Sequence, residues 1–264
     1  MTRRRLDSEL VRRGLATSRT EAQEAVRAGL VRVRGTVATK SSTLVADDEP
    51  LDLTRAARRY VSRGGEKLES ALERFGIDPA GMDCLDVGAS TGGFTDRLLQ
   101  GGARHVVAVD VGYGQLAWTL RADRRVTVLE RTNARDLSID ALPYRPALVA
   151  VDVSFISLRA VMPALASVSA TGADAVFLIK PQFEAGRGKV GRGGVVRDPE
   201  VWSNVISSVI GSASEAGFAP HGVMSSPVRG PAGNVEFLLW SRRDAPPREL
   251  DVAAAVAEGT EVAA

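Results

Sequence analysis

The pattern of apolar and polar residues divides the chain into two parts, and the first of them covers roughly the first 55 residues. Over residues 6–29 the apolar positions recur at helical spacing, and Ser18 with Glu21 three residues later forms a capping box that begins a second helix. LVRVRG (30–35) then alternates apolar and basic residues, and a last short strand is expected near LDL (51–53). The apolar faces of the two predicted helices consist of Leu6, Leu10, Val11, Ala22, Ala25 and Val26. These elements predict a small N-terminal α+β domain.

Beyond residue 65 short apolar runs alternate with longer amphipathic segments. Strands are expected at 84–89, 105–111, 126–132, 147–155, 175–180, 222–228 and 234–242. Helices are expected at 66–76, 92–102, 115–123, 157–169 and 201–217. This alternation predicts a parallel, doubly wound α/β sheet of the Rossmann-like kind, and the two adjacent final strands predict an antiparallel hairpin.

The expected domain limits follow from composition. We expect a first domain over 1–59, a basic linker over 60–65, a second domain over 66–243 and a tail over 244–264. The boundary lies in RAARRYVSRGG (55–65), a basic connector that ends in two glycines. The tail is rich in Ala, Val and Glu and predicts either a short helix or disorder.

Composition argues against several kinds of site. The one cysteine, Cys84, cannot form an internal disulfide, and the two histidines lie far apart in sequence, so no metal site is expected. Scarce cysteine fits a reducing, cytoplasmic location. No apolar N-terminal signal is visible, and no uncharged apolar run approaches the ~18 residues of a membrane-spanning helix.

Charge is distributed unevenly along the chain. Residues 1–40 hold ten Lys and Arg against four Asp and Glu, a net charge of +6, so the remainder carries −4 within a total of +2. A compact basic domain on a nearly neutral body favours a nucleic-acid partner over a merely solvated face.

CLDVGASTGGFT (84–95) is a candidate nucleotide-binding turn, because an apolar strand runs into glycines and small hydroxyl residues before a helix. An NAD site uses G-x-G-x-x-G, whose second glycine lets the backbone approach a pyrophosphate, but Ser90 stands there. S-adenosylmethionine has no phosphate and needs the turn and an acid for its ribose hydroxyls. Asp110 lies 22 residues after Gly88, and Asn133 ends the next strand, where adenine is expected. The turn therefore favours S-adenosylmethionine over NAD.

Four charged residues lie where an active site is expected. Asp152 and Lys180 end two apolar strands, Glu236 begins the last strand, and Lys67 opens the helix before the sheet. Ligands of parallel sheets bind beyond the carboxyl ends of the strands, and a lone buried charge is costly. The four side chains are therefore expected to converge. The alternative is an ion-pair network that only ties strand ends together.

These motifs resemble known families. RLDxxLVxRGLxxSRxxAxxxVxxGxVxVxG resembles the S4 RNA-binding domain, and the four charged residues resemble the K-D-K-E tetrad of FtsJ-like ribose 2′-O-methyltransferases. With LDVGASTGGFT, DVGYGQLAW, LERTNAR, DVSFISL, KPQFE and GPAGNVEFLLW, nearly all residues up to about 243 resemble the TlyA family, some members of which carry a haemolysin label. The resemblance implies a class I methyltransferase that methylates the 2′-hydroxyl of cytidines in ribosomal RNA of one or both subunits, with S-adenosylmethionine as cofactor.

The resemblance also implies roles for single residues. Lys180 is expected to contact the 2′-oxygen, accepting its proton or stabilising its charge, with Lys67 holding the ribose. Asp152 and Glu236 are expected to orient Lys180. The expected cofactor contacts are Gly88, Ala89, Ser90, Gly92, Gly93, Asp110, Val111, Asn133, Ala134 and Asp152. The expected RNA contacts are Arg4, Arg5, Arg12, Arg19, Lys40, Arg63, Arg135, Phe155 and Lys189.

Several assignments have alternatives. Phe155 is expected to stack on an extruded base, or else to pack in the core. Arg63 and Arg135 either hold phosphates or are exposed charges. Helix packing is favoured for two further aromatic residues, Tyr113 and Trp118. The glycine-rich segment 184–197, with Arg187, Lys189, Arg192 and Arg197, predicts a mobile basic loop that orders on RNA.

Three other functions compete with the methyltransferase. They are a non-catalytic RNA-binding module, an NAD-dependent oxidoreductase and a membrane-active cytolysin. Ser90 and the lack of a histidine near the strand ends disfavour the oxidoreductase, and the intact tetrad disfavours the binding module. The expected partners are ribosomal RNA or ribosomal subunits, and the expected oligomeric state is a monomer.

Overall fold

A computed structural model of the chain describes residues 3–16, 18–54 and 59–263. Its contacts divide the chain into two compact units, Met1–Arg59 and Tyr60–Ala264. Residues 55–58 of the expected basic connector lie outside the described residues.

The first unit combines short helices with short strands. Its elements are β1 (Arg3–Arg5), α1 (Leu6–Arg12), α2 (Arg19–Arg27), β2 (Val31–Val33), β3 (Thr36–Val37), β4 (Leu44–Ala46) and β5 (Leu51–Leu53). β1 pairs with β4, while β2 lies between β3 and β5. The strands expected in LVRVRG and LDL are confirmed as β2 and β5. The pairing of β1 with β4 was not expected, because RRR in β1 and LVA in β4 do not alternate apolar and polar residues.

The helices of the first unit pack as their sequence pattern predicts. The side chain of Ser18 accepts a hydrogen bond from the backbone N–H of Glu21 at 3.2 Å, which confirms the predicted helix start. The apolar faces of α1 and α2 form one core with Val31 and Val45, and Val11 lies half-buried at its edge.

The second unit is built on one large sheet. Its first elements are α3 (Gly64–Phe75), β6 (Asp83–Val87), α4 (Gly93–Gln100), β7 (His105–Val109), α5 (Trp118–Arg121), β8 (Val126–Leu129) and β9 (Leu148–Val151). They are followed by α6 (Met162–Val168), β10 (Asp174–Ile179), α7 (Pro181–Glu184), α8 (Pro199–Glu215), β11 (Phe218–Ser225), β12 (Phe237–Arg243) and α9 (Val252–Ala263).

The strand order is β11-β12-β10-β9-β6-β7-β8, and β12 runs antiparallel to both of its neighbours. The strands from β10 to β8 are parallel, which confirms the predicted doubly wound sheet and its terminal hairpin. The chain leaves β6 toward β7 and β8, then returns to place β9 on the other side of β6. A crevice therefore opens between the carboxyl ends of β6 and β9, where ligands of such sheets bind.

Each face of the sheet buries its own apolar layer. Leu85 and Val87 point to the layer that contains α6 and α8, whereas Cys84 points to the layer that contains α3 and α4. This alternation is the two-residue period of a strand. Both faces are covered, so the central strands read as nearly continuous apolar runs.

The helix predicted at 115–123 is shorter in the structure and spans only Trp118–Arg121. Ala117 has an extended ψ of 137°, and its N–H donates to the backbone oxygen of Thr91 at 3.2 Å. The residues before Trp118 therefore line the glycine turn rather than continue the helix.

The C-terminal tail adopts the helical form of its two expected alternatives. In α9, Ala255 is buried and Gly259 lies against Phe237 of β12. Glu258 pairs with Arg74 of α3 at 2.9 Å, so the tail is part of the second unit. Within the described ranges no helix is both long enough and apolar enough to cross a membrane.

Candidate active site

The glycine turn lies in the crevice between β6 and β9. Gly88 has a φ of +83°, and a Cβ there would overlap the backbone oxygen of Asp152. Asp152 in turn donates its N–H to the oxygen of Val87 at 2.8 Å. Only glycine allows this close approach between the ends of the two strands.

A buried carboxylate behind the turn holds the helix that follows. One oxygen of Asp86 accepts hydrogen bonds from the N–H and the hydroxyl of Thr95, at 2.8 and 2.6 Å. Its other oxygen is buried without a partner among the described residues. Burial raises the pKa of Asp86 to about 7, although Thr95 opposes the shift. Asp86 thereby fixes the start of α4 relative to β6.

One cavity, of about 470 Å³, extends from the turn over β7 and β8. Asp110 lies in its wall and accepts hydrogen bonds from the N–H groups of Ser90 at 2.7 Å and Gly112 at 2.6 Å, one on each carboxylate oxygen. Each oxygen keeps a lone pair for a further donor. Val111, Asn133 and Ala134 line the same cavity. An acid with two free acceptor positions beside an apolar wall suits a nucleoside.

A second cavity, of about 670 Å³, adjoins the first. The two share five lining residues, namely Gly88, Ser90, Asp152, Ser154 and Phe155. All four charged residues of the predicted tetrad line the second cavity, together with Ala89 and Gly93. Gly92 instead faces the side chains of Leu116 and Leu120. Nine of the ten residues predicted to bind the cofactor thus line one or both cavities.

The tetrad is arranged as two lysine–carboxylate pairs. Lys180 Nζ lies 2.5 Å from Asp152 Oδ1 and donates a hydrogen bond to Ser154 Oγ at 2.7 Å. Lys67 Nζ donates to Glu236 Oε2, and both side chains are buried. The structure therefore pairs Glu236 with Lys67, whereas the sequence-based expectation had Glu236 orienting Lys180.

Burial dominates the electrostatics of the second pair. It raises the pKa of Glu236 above its ordinary value, while the charge of Lys67 opposes that shift. An unpaired charge at this depth would be costly, so the two residues depend on each other.

Phe155 lines both cavities and is exposed rather than packed in the core. Its side chain is 92% exposed, so the alternative that it packs in the core is wrong. Its φ is +64°, and its ring lies 5.1 Å from that of Phe183. Arg63 is exposed and lines the second cavity.

The other predicted RNA contacts of the second unit are exposed. Arg135 donates to the side-chain oxygen of Asn133, which also accepts the backbone N–H of Arg135. Lys189 is exposed on the glycine-rich segment, and the side chains of Arg187 and Arg192 lie outside the described residues. Two aromatic residues expected to pack in a helix, Tyr113 and Trp118, are exposed instead.

Buried acids anchor the arginines of the first unit. Asp7 contacts Arg5 at 2.9 Å and Arg19 at 3.3 Å, and Glu9 contacts Arg12 at 2.6 Å. Hydrogen bonding from Arg5 and Arg12 holds the pKa of these two carboxyls well below its usual range. These arginines, predicted as RNA contacts, therefore also pair with buried acids of α1.

The two remaining basic residues predicted for this unit are also accessible. Arg4 pairs with Asp47 at 2.5 Å on the surface, and Lys40 is exposed. Arg4, Arg5, Arg12 and Arg19 keep between 41% and 58% of their side chains exposed, so their guanidinium groups stay accessible although they are paired.

Several lining residues were missed by sequence reasoning. Ser154, Gln182, Phe183 and Asn234 all line the second cavity. Each lies in a loop or a four-residue helix, where no periodicity marks a function. Their nearness to Asp152, Lys180 and Glu236 in sequence was the only available indication.

A seven-stranded sheet with this turn, this acid and these paired lysines defines a class I methyltransferase. The FtsJ-like methyltransferase family matches residues 60–243, and the S4 domain matches residues 4–49. The chain belongs to the TlyA family, which unites these two domains. The 16S/23S rRNA (cytidine-2′-O)-methyltransferase TlyA of Mycobacterium tuberculosis is 55% identical over 91% of this chain and 90% of its own length.

Other relatives agree on the family. Hemolysin A of Brachyspira hyodysenteriae is 40% identical over 89% of this chain and 98% of its own length. A solved Streptococcus thermophilus protein with a provisional hemolysin name is 40% identical, with a TM-score of 0.79 over 99% of this chain and 97% of its own.

Proposed function

We propose that this chain transfers a methyl group from S-adenosylmethionine to the 2′-hydroxyl of a cytidine in ribosomal RNA. The observation that carries the proposal is the meeting of two lysine–carboxylate pairs in a cavity that adjoins a nucleoside-sized one. The name of the 55% identical relative supports cytidine as the target nucleoside.

The residues of the first cavity fit the cofactor. Asp110 has acceptor positions for the two ribose hydroxyls, and Asn133 with Val111 borders the place for adenine. Gly88 and Asp152 line both cavities, and the amino-acid arm is proposed to pass beside them. When bound, S-adenosylmethionine supplies a methyl group already activated by a sulfonium.

Lys180 is the residue proposed to contact the target oxygen. An ammonium group has three donors, of which one goes to Ser154 Oγ, while Asp152 Oδ1 lies 2.5 Å away as an ion-pair partner without a hydrogen bond. A further donor is left for the 2′-oxygen, where it stabilises the negative charge that develops as the hydroxyl proton passes to solvent. Lys67, held by Glu236, is proposed to bind the ribose from the other side of the cavity.

RNA affinity is proposed to come mainly from the first unit. Its exposed arginines and Lys40 would contact phosphates, which gives binding strength without sequence choice and makes binding weaken with salt. Phe155 is proposed to stack on the target base once that base leaves its helix.

Ribosomal subunit choice is the finer part of the proposal. The Mycobacterium tuberculosis relative is named for 16S and 23S RNA, whereas a 32% identical Campylobacter jejuni TlyA is named for 23S RNA alone. Because this chain is more similar to the Mycobacterium tuberculosis relative, we favour activity on both subunits. A cytoplasmic, monomeric enzyme remains our prediction.

The test is tritiated-methyl transfer to separate small and large subunits from a strain that lacks this methyltransferase. We expect label in ribose, mapped to a cytidine by nuclease digestion and mass spectrometry. Lys180→Ala should bind cofactor and RNA yet transfer no methyl group. Lys189→Ala is the matched lysine control, because it should weaken RNA binding but keep its rate at saturating RNA. Absence of transfer by the wild-type chain, despite RNA binding, would support the non-catalytic binding module.

A further inference from the structure

Glu184 is a buried carboxylate outside the tetrad, and it ends the short helix α7 that follows Lys180. Its Oε2 accepts a hydrogen bond from Ser157 Oγ at 2.6 Å, and its Oε1 accepts one from the backbone N–H of Leu158 at 2.7 Å. Arg159 lies 3.6 Å from the same carboxylate, with 45% of its side chain exposed. Glu184 therefore binds the loop 153–158 through two short hydrogen bonds and pairs more weakly with Arg159, the residue after the loop.

The position of this contact connects two strand ends. β9 is followed by Asp152 and the loop 153–158, while β10 is followed by Lys180 and α7. Glu184 joins these two segments by hydrogen bonds; one segment follows Asp152 and the other follows Lys180. A shift of the loop relative to α7 would therefore change the geometry around Lys180.

The loop held by Glu184 carries two groups that face the cavities. Ser154 accepts the hydrogen bond from Lys180, and Phe155 lies in the wall that both cavities share. Phe155 has a φ of +64°, a left-handed conformation that costs a bulky residue free energy. Such a conformation persists only where surrounding contacts enforce it. The bonds from Glu184 to Ser157 and Leu158 begin two residues after Phe155.

We propose that Glu184 is a positioning residue for methyl transfer. It holds the loop 153–158 so that Ser154 stays beside Lys180 and Phe155 stays at the shared wall of the cavities. This inference rests on the proposed function for its catalytic consequence, and on the hydrogen bonds of Glu184 for its structural part.

The first experiment compares Glu184→Ala, Glu184→Gln and Arg159→Ala in the full chain. Misplacing reacting groups by about an ångström can cost about 100-fold in rate, so we expect kcat of Glu184→Ala to fall roughly 10- to 100-fold. Glu184→Gln keeps an acceptor for the Leu158 N–H and should recover most of this loss. Arg159→Ala removes the 3.6 Å ion pair and long side-chain hydrogen bonds to Ser157, Ser208 and the Glu184 backbone oxygen, of 3.2 to 3.5 Å. Because this side chain is half-exposed, the variant should stay within about threefold of wild type.

Hydrogen exchange gives a readout that does not need activity. The Leu158 amide should exchange faster in Glu184→Ala than in wild type, while amides of β9 and β10 keep their protection. If the wild-type chain transfers no methyl group, the proposed function fails, yet exchange still tests whether Glu184 holds the loop.

A mutant cycle separates positioning from a general loss of stability. In a chain that already carries Ser154→Ala and Phe155→Ala, Glu184→Ala should lower the rate by less than about threefold further, because the groups it positions are gone. A full further loss in that background would overturn the proposal, as would unchanged Leu158 exchange or normal kcat in Glu184→Ala.

Discussion

Replacement of Lys67 by methionine tests how the buried pair with Glu236 is maintained. Methionine keeps much of the volume of the lysine stem and removes only the cation that faces Glu236. Removing one partner of a buried pair typically costs about 3–5 kcal/mol, because the remaining charge is left uncompensated. Glu236 has one way to limit that cost, which is to take up a proton.

The stability of Lys67→Met should depend on pH, because Glu236 can take up that proton. Burial already raises the pKa of Glu236 above its ordinary 4.5, and loss of Lys67 removes the main opposing influence. A raised carboxyl pKa means that the folded state binds the proton more tightly, so stability falls as pH rises toward the folded-state pKa. In Lys67→Met this fall continues to higher pH than in wild type. The difference between the two proteins grows by up to about 1.4 kcal/mol per pH unit and reaches at most about 3–4 kcal/mol at pH 7.

The assay is urea unfolding of wild type and Lys67→Met between pH 5 and 8, with methyl transfer measured in parallel. For a domain of this size the loss corresponds to roughly 10 °C in Tm. Lys67→Met combined with Glu236→Gln should regain most of the stability and none of the activity. A destabilisation that stays constant across this pH range, or no recovery in the double variant, would show that the pair is not the source of the effect.

Four further predictions follow from single contacts. Gly88→Ala should lose at least about 1–3 kcal/mol of stability and the capacity to bind cofactor, because its φ of +83° and the overlap with Asp152 both oppose a Cβ; normal calorimetric binding would contradict this. The raised pKa of Asp86, about 7 against 3.8, means that its contribution to unfolding free energy falls by up to about 4 kcal/mol as pH rises between those values. Asp86→Asn should flatten that decline in urea titrations, and an unchanged slope would exclude Asp86 as its source. Phe155→Ala should lower kcat/KM for methylation roughly 5- to 150-fold, as expected for about 1–3 kcal/mol of stacking, with Phe155→Trp close to wild type; a twofold effect would argue against stacking. Lys40→Ala should reduce the slope of log Kd for RNA against log salt by about one, and an unaltered slope would remove it from the phosphate contacts.

The sequence by itself was enough for the fold class and for the four charged residues that line the site. Asp152 and Lys180 were identifiable because each ends an apolar strand, and parallel strands bring their carboxyl ends to the same edge of a sheet. Asp110 was identifiable by its distance along the chain from Gly88. Such patterns depend only on the order of residues along the chain, so they can be recognised without the folded structure.

Pairing within the site depended on tertiary structure. Lys67 and Glu236 are 169 residues apart, and their contact arises only because β12 is inserted beside β10 above the start of α3. Glu184 likewise gained its role from the approach of two segments that follow different strands. The same reason explains the pairing of Arg19 in α2 with Asp7 in α1, whereas Glu9 and Arg12 meet within α1 because they are three residues apart. The position of a charged residue in the sequence indicates that it needs a partner. The packing of the chain decides which partner it meets, because a buried charge is costly unless an opposite charge lies beside it.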